Sequence, residues 1–153
     1  MKLLVVGANG QLGKEFQEIL RNGTADIGKI DDCFITAEKT YVDIDELDIT
    51  DIQAVKKFFD KNFDIVINCS AYTNVKGAEE DFDTAYKVNA LGARNLAIIC
   101  SKIGAKLIHV STDYVFDGNS NIPYTEADIA NPQNVYGKTK LAGENFVKEF
   151  CPK

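Results

Sequence analysis

Tyr136 and Lys140 stand four residues apart in the stretch Asn134-Val135-Tyr136-Gly137-Lys138-Thr139-Lys140. On a helix that spacing sets them one turn apart on one face. A phenol beside an ammonium is a proton donor with its tuner. The cation favours phenolate and draws the phenol's pKa toward working pH. The lysine can also donate to a ribose hydroxyl. Taken alone, the pair is better read as two exposed residues on a helix, since the spacing often arises by chance, and Lys138 falls on a different face with no part in it. Its weight comes from what lies upstream. Ser111-Thr112-Asp113-Tyr114 ends an apolar run in hydroxyls, and Gly7-Ala8-Asn9-Gly10-Gln11-Leu12-Gly13 lies near the start of the chain.

The second of these follows the apolar run Leu3 to Val6 and opens an amphipathic stretch, Gln11 to Arg21. Glycines at this spacing let the chain turn tightly, let its backbone approach a pyrophosphate, and let the helix pack on the strand. Free N–H groups and the dipole of the first helical turn then attract the anion. A glycine-rich strand-to-helix turn with no ligand has the same letters. The placement between a strand and a helix is what favours a cofactor.

Positioning these groups requires an alternation of strands and helices, and the sequence supplies one. Strands are expected at Leu3 to Val6, Cys33 to Thr36, Ile65 to Asn68 and Lys106 to Ser111. Helices are expected at Gln11 to Arg21, Asp51 to Lys61, most of Ala78 to Ile103 up to Gly104, and Asn134 to Phe150. The strands are short apolar runs, as burial on both faces demands. The order predicts an α/β fold: a doubly wound parallel sheet in three layers, α/β/α, of the Rossmann type. Ligands of such sheets sit beyond the carboxyl ends of the strands. Three strand ends are suited to that: the glycine loop, Asn68-Cys69-Ser70-Ala71-Tyr72-Thr73, and Val110 to Tyr114. The polar stretch Asp117 to Pro132 reads as a long loop over the sheet. In Asp48-Ile49-Thr50-Asp51, Asp48 can accept from an adenine amino group and Ile49 can cover the ring, while Thr50 or Asp51 caps the next helix. The expected second strand ends at Ala37 before it meets Glu38, so no acid closes it to grip a ribose diol. That leaves NAD and NADP equally open.

Composition narrows the partners. The 153 residues carry a net charge of -6, with 45% hydrophobic and 26% charged residues. No basic patch for nucleic acid is expected from such a balance. Cys33, Cys69, Cys100 and Cys151 are scattered, and His109 is the single histidine, so no metal site is expected. Scattered thiols without a secretory signal point to the cytoplasm. The opening apolar run of four residues is too short for a signal peptide. No run reaches the ~18 apolar residues of a membrane span.

These segments together resemble the extended short-chain dehydrogenase/reductase family. The resemblance is carried by the glycine loop, Asn68 to Glu79, Ser111 to Gly118, and Asn134 to Glu144. Ser111 to Gly118 discriminates most. Dehydratases and epimerases of the family typically carry a glutamate at Tyr114, and its absence fits simple ketone reduction. What the resemblance implies is hydride transfer from NADPH or NADH to the C4 ketone of a dTDP-bound 6-deoxy-4-keto sugar. Tyr136 would protonate the developing alkoxide. Lys140 would tune Tyr136 and hold the nicotinamide ribose, and Thr112 would polarise the carbonyl. Asp113 and Tyr114 would border the substrate. The glycine loop, Gly7 to Gly13, would bind the cofactor, with Gly10, Gln11 and Leu12 on the pyrophosphate. Asp48 and Ile49 would face the adenine, Ala71, Tyr72 and Thr73 would line the cofactor, and Asn89 would support the site by a hydrogen bond.

Two other readings share this motif set: a nucleotide-sugar epimerase, and a non-catalytic regulatory subunit like the β subunit of methionine adenosyltransferase. Thr112, Tyr136 and Lys140 together favour an enzyme. Lys76 departs from the aspartate that many relatives carry there. Members of the family run to nearly twice this length. The resemblance therefore implies that residues 1–153 form the NAD(P)-binding Rossmann domain of a truncated chain, inactive without the substrate-binding part. It also implies a sheet edge open to a second copy, as in a homodimer.

Overall fold

A computed structural model describes residues 1–152. Strand β1 (Lys2–Val6) leads through the glycine loop into helix α1 (Gln11–Asn22). A small hairpin follows, β2 (Thr24–Ala25) with β3 (Gly28–Lys29), then one turn of helix α2 (Asp32–Ile35) and strand β4 (Glu38–Val42). Helix α3 (Ile52–Phe58) continues as a tighter turn, Phe59–Lys61, before strand β5 (Ile65–Asn68). Helices α4 (Val75–Glu80), α5 (Phe82–Tyr86) and α6 (Ala93–Ile103) precede strand β6 (Lys106–His109), and α7 (Val135–Phe150) closes the described chain.

The four long strands form one parallel sheet in the order β4-β1-β5-β6. Helices cover both faces, which gives the expected doubly wound, three-layer architecture. The pleat sorts the residues of the central strands. Leu3, Val5 and Ile67 turn to one face with Leu20, where Phe16 and Phe34 pack from α1 and α2. Leu4, Val6 and Val66 turn to the other, against Val55, Leu96 and Cys100, with Val147 of α7 at the margin. Leu3, Leu4 and Val5 are fully buried. An unbroken apolar run is what a strand paired on both sides and covered on both faces requires.

The second strand lies elsewhere than the sequence predicts. Cys33 to Thr36 is helical rather than extended: the Asp31 carboxylate accepts from the Cys33 N–H at 2.8 Å and caps α2. The Thr36 hydroxyl donates to the Asp32 carbonyl. The strand is β4, beginning at Glu38, and it pairs only with β1. As an edge strand it needs no continuous apolar run, and Lys39, Thr40 and Tyr41 are only half-buried. Continuous apolarity was the wrong cue at the edge of the sheet. Glu38 therefore opens the strand, and the acid that closes it is Asp43.

The long helical region is also subdivided. Asp81 leaves helical geometry (φ -134°, ψ 73°) and its carboxylate caps α5 at the Thr84 N–H. Lys87–Gly92 then form a π-helical turn that feeds α6. Gly104, at φ 76°, ends α6 as expected. Strand β6 is two residues shorter than its apolar run: Val110 still donates to the Asn68 carbonyl, and the chain then leaves the sheet. Among the described residues no helix is long and apolar enough to cross a membrane, and no group of three or more His, Cys, Asp or Glu is placed to hold a metal.

Candidate functional site

The connection from β1 goes to β4 on one side, while β5 lies on the other side of β1 and leads on to β6. The carboxyl ends of β1 and β5 therefore flank a crevice where the winding reverses, the usual ligand position of an open α/β sheet. The structure has an open cleft there of about 900 Å³. It runs from the glycine loop to the start of α7.

One end of the cleft is made of backbone. Gly7 adopts φ +77°, and a Cβ there would lie 2.6 Å from the Ser70 amide nitrogen. A Cβ on Gly13 would strike the Gly7 carbonyl, so α1 could not seat on the strand with any side chain at that position. The Gly10 N–H closes the turn on the Gly7 carbonyl at 3.2 Å. Gly10 is also the residue before α1, and no side chain caps the helix. Orphan N–H groups of the first turn are thus left without a side-chain acceptor beside a cleft lined by Gly7, Gly10, Gln11 and Leu12. Such a terminus fits a pyrophosphate.

Beyond it lie Asp48 and Ile49, both on the cleft wall. One Asp48 oxygen accepts from the Thr50 N–H and hydroxyl, each at 2.8 Å, which shapes the turn. Asp51, not Thr50, caps α3 through the N–H groups of Gln53 and Ala54. Asn95 of α6 donates to the carbonyls of Ile49 and Thr50 at 2.9 and 3.2 Å and fixes the segment from behind. Asp43 joins this wall and was not anticipated from the sequence. Its oxygens accept from Asn9 N–H at 2.8 Å and Ile44 N–H at 2.9 Å. An acid at the end of this strand is where a ribose diol is gripped. Reading Thr40-Tyr41-Val42 as the strand, on its β-branched and aromatic residues, would have found it.

The other end is made of side chains. Tyr136 and Lys140 both line the cleft, although they are only 9% and 2% exposed. The Lys140 ammonium donates to the Val110 carbonyl at 2.6 Å. Burial pushes its pKa down to about 8, against the opposing pull of the Glu144 charge. Asn89, on the π-helical turn, accepts from the Tyr72 N–H at 2.8 Å and donates to the Tyr72 carbonyl at 3.1 Å and the Thr139 hydroxyl at 3.0 Å. Thr139 in turn donates to the Tyr136 carbonyl. One buried amide therefore ties the Ala71-Tyr72-Thr73 wall to α7.

His109 and Cys69 sit behind this end. The Asn68 amide faces His109 Nδ1 at 3.0 Å. An amide nitrogen only donates, so Nδ1 accepts and Nε2 carries the proton. Burial, then the Lys140 charge, drives the His109 pKa down to about 3. Burial pushes the Cys69 thiol up to about 11. Both are neutral near pH 7.

The cleft brings together Gly7, Gly10, Gln11, Leu12, Asp48, Ile49, Ala71, Tyr72, Thr73, Tyr136 and Lys140. Gly13, Thr112 and Asp113 do not line it. Gly13 serves packing, as described. Ser111 is on the wall instead, and Thr112 turns its hydroxyl to the Asp113 carboxylate at 3.1 Å while accepting from Tyr114 N–H. Tyr114 meets the Tyr136 ring edge-on, with centroids 5.7 Å apart.

Sheet order, glycine loop and switch-point cleft define the class: a Rossmann-type α/β domain. More narrowly, the chain belongs to the RmlD substrate binding domain family, whose model matches residues 1–153. It is 42% identical over 156 residues to the dTDP-4-dehydrorhamnose reductase of Mycobacterium tuberculosis, covering 99% of this chain and 47% of that protein. Among solved structures it resembles a dTDP-4-dehydrorhamnose reductase from Clostridium acetobutylicum, with a TM-score of 0.89 and 48% identity, covering 100% of this chain and 51% of that one. It also resembles the Bacillus anthracis dTDP-4-dehydrorhamnose reductase in complex with NADP, with a TM-score of 0.87 and 42% identity, covering 98% and 50%. The chain thus spans about half the length of these relatives.

Proposed function

We propose that this chain is the cofactor-binding part of an NAD(P)H-dependent reductase that converts dTDP-4-dehydro-L-rhamnose to dTDP-L-rhamnose. The observation that carries the reading is one cleft that joins an uncapped helix N-terminus to the Tyr136–Lys140 face of α7. When bound, the cofactor supplies a hydride for the C4 ketone of the sugar.

The residues of the chain do the remaining work. The backbone of Gly10, Gln11 and Leu12 holds the pyrophosphate, and Gly7 and Gly13 keep the space for it. Asp48 and Ile49 face the adenine, and Asp43 takes the adenosine ribose. A carboxylate there disfavours a 2′-phosphate, so NADH should bind more tightly than NADPH. Ala71, Tyr72 and Thr73 line the middle of the cofactor. Lys140 donates to the nicotinamide ribose, and the Tyr136 hydroxyl gives its proton to the carbonyl oxygen as charge develops there. Thr112 exchanges its bond to Asp113 for one to that oxygen, and Asp113 borders the sugar. Because this arrangement uses the ammonium form of Lys140, cofactor affinity should fall as pH rises through about 8.

Four free thiols support a cytoplasmic setting for this reading. Self-association, where it occurs, would use β6, which pairs on one side only and leaves Ile108 51% exposed. The test is calorimetric titration of the chain with NADH and NADPH beside Gly10→Asp, followed by a reductase assay of full-length protein on the dTDP-4-keto sugar. Binding by the parent, lost in the variant, and turnover by the full-length protein are the expected results. A folded full-length protein that binds neither cofactor would sink the reading.

A further inference from the structure

The face of α7 that carries Tyr136 and Lys140 continues, one turn on, to Glu144. Glu144 does not line the cleft. One of its oxygens accepts from the Ser111 hydroxyl at 2.5 Å, and the other meets the exposed Lys148 ammonium at 3.3 Å. Ser111 directly follows Val110, whose carbonyl accepts from Lys140. Two bonds thus clamp the same two residues, where the chain leaves β6, to one stripe of α7. Lys140 spends one of its three N–H donors on the strand, and the clamp decides where the other two can reach.

We infer that Glu144 is a positioning residue for the Lys140 ammonium: through Ser111 it fixes the segment on which Lys140 rests, and by its charge it keeps the buried Lys140 protonated. The inference rests on the reading of the cleft as an NAD(P)H site. Lys140 is almost wholly buried, and a desolvated ammonium tends to shed its proton. The groups around it offer little other help. From the end of β5 comes Cys69, whose thiol burial keeps protonated. From β6 comes His109, which burial keeps neutral. Tyr136 lies one turn before it on α7, and Lys148 two turns after. Arg94 of α6 lies over the Phe146 ring. Glu144 is the carboxylate whose charge is felt at Lys140, second only to burial in setting its pKa.

The charge and the hydrogen bond can be separated. Glu144→Gln keeps an acceptor for Ser111 and removes the charge. Ser111→Ala removes the bond and keeps the charge. Glu144→Asp keeps the charge on a shorter arm. The first readout is the Lys140 side-chain carbon resonance in the cofactor-free chain, assigned by its loss in Lys140→Arg and titrated on both sides of pH 8. The second is the calorimetric affinity for NADH over the same range, with thermal unfolding of each variant as the check on folding.

In the parent the resonance should titrate near 8. In Glu144→Gln it should titrate lower by about one pH unit, and Glu144→Asp should bring it back toward the parent. The fall in NADH affinity should move with it. Ser111→Ala should leave the titration in place and weaken binding at every pH. A Glu144→Gln chain that is folded and titrates like the parent overturns the inference. A shifted resonance in a chain that binds neither NADH nor NADPH supports the charge role of Glu144 and defeats the cofactor reading instead.

Discussion

At the glycine end of the cleft a ligand meets backbone: the Gly7 turn at φ +77°, the bare Gly10 and an uncapped helix terminus. At the Tyr136 end it meets side chains held by hydrogen bonds: Asn89 to the Tyr72 backbone and the Thr139 hydroxyl, Lys140 to the Val110 carbonyl, Ser111 to the Glu144 carboxylate. The first end works by having nothing in the way. The second works because its buried side chains are held: Asn89, Thr139 and Lys140 each have a partner. They should therefore fail differently. Adding atoms should break the first, and removing partners should break the second.

The largest effect is expected at the first end. Gly7→Val adds a branched side chain at positive φ, with its Cβ 2.6 Å from the Ser70 nitrogen. The chain should lose about 3 kcal/mol or more of stability, read from the denaturant midpoint. A midpoint within error of the parent would mean that the loop has slack that the structure does not show.

Asn89→Leu comes next and tests the second end. It leaves the Tyr72 N–H and carbonyl without their side-chain partner. A cost of about 2 kcal/mol follows from stranding buried polar groups. Gln, with the same chemistry on a longer arm, should recover part of it. Equal stability for the Leu variant and the parent would deny Asn89 its tie between the two walls.

The smallest effect is a pH slope at the same end. The His109 pKa falls from 6.5 to about 3 on folding. The unfolded chain therefore takes up a proton below 6.5 while the folded chain does not. Stability from this group is fully present above pH 6.5 and is lost as pH falls toward 3. Going from pH 6.5 to 5.5, the parent should lose about 1 kcal/mol that His109→Gln does not. Parallel stability-versus-pH curves for the two chains would contradict the buried neutral imidazole.

The two ends were also unequally legible. The glycine loop could be read directly, since glycine spacing records a backbone constraint within a few residues. Tyr136 and Lys140 could be read as a pair, because helical periodicity brings them together locally. Asp43 was harder to read, because it follows an edge strand marked only by β-branched and aromatic residues, with no continuous apolar run. The break at Asp81 and the π-helical turn around Asn89 were hidden as well. The first carries a side-chain cap inside an apparently continuous helical stretch, Asp81 on the Thr84 N–H, and the second packs on α7, where Asn89 donates to Thr139.

By itself the sequence determined the class of the fold, the carboxyl edge of the sheet as the ligand side and the pair of cleft residues on α7. These follow from short-range periodicities: buried strands, glycine turns and one helical face. Only the tertiary structure decided that Ser111 rather than Thr112 joins the cleft wall, that Asp43 meets the Asn9 N–H, and that Glu144 holds Ser111. Ser111 meets Glu144 across 33 residues, where α7 lies against the end of β6, and Asn9 meets Asp43 across 34, where β1 lies beside β4. A hydrogen bond of that kind leaves no period in the sequence, because it depends on the distance between elements that only packing brings together.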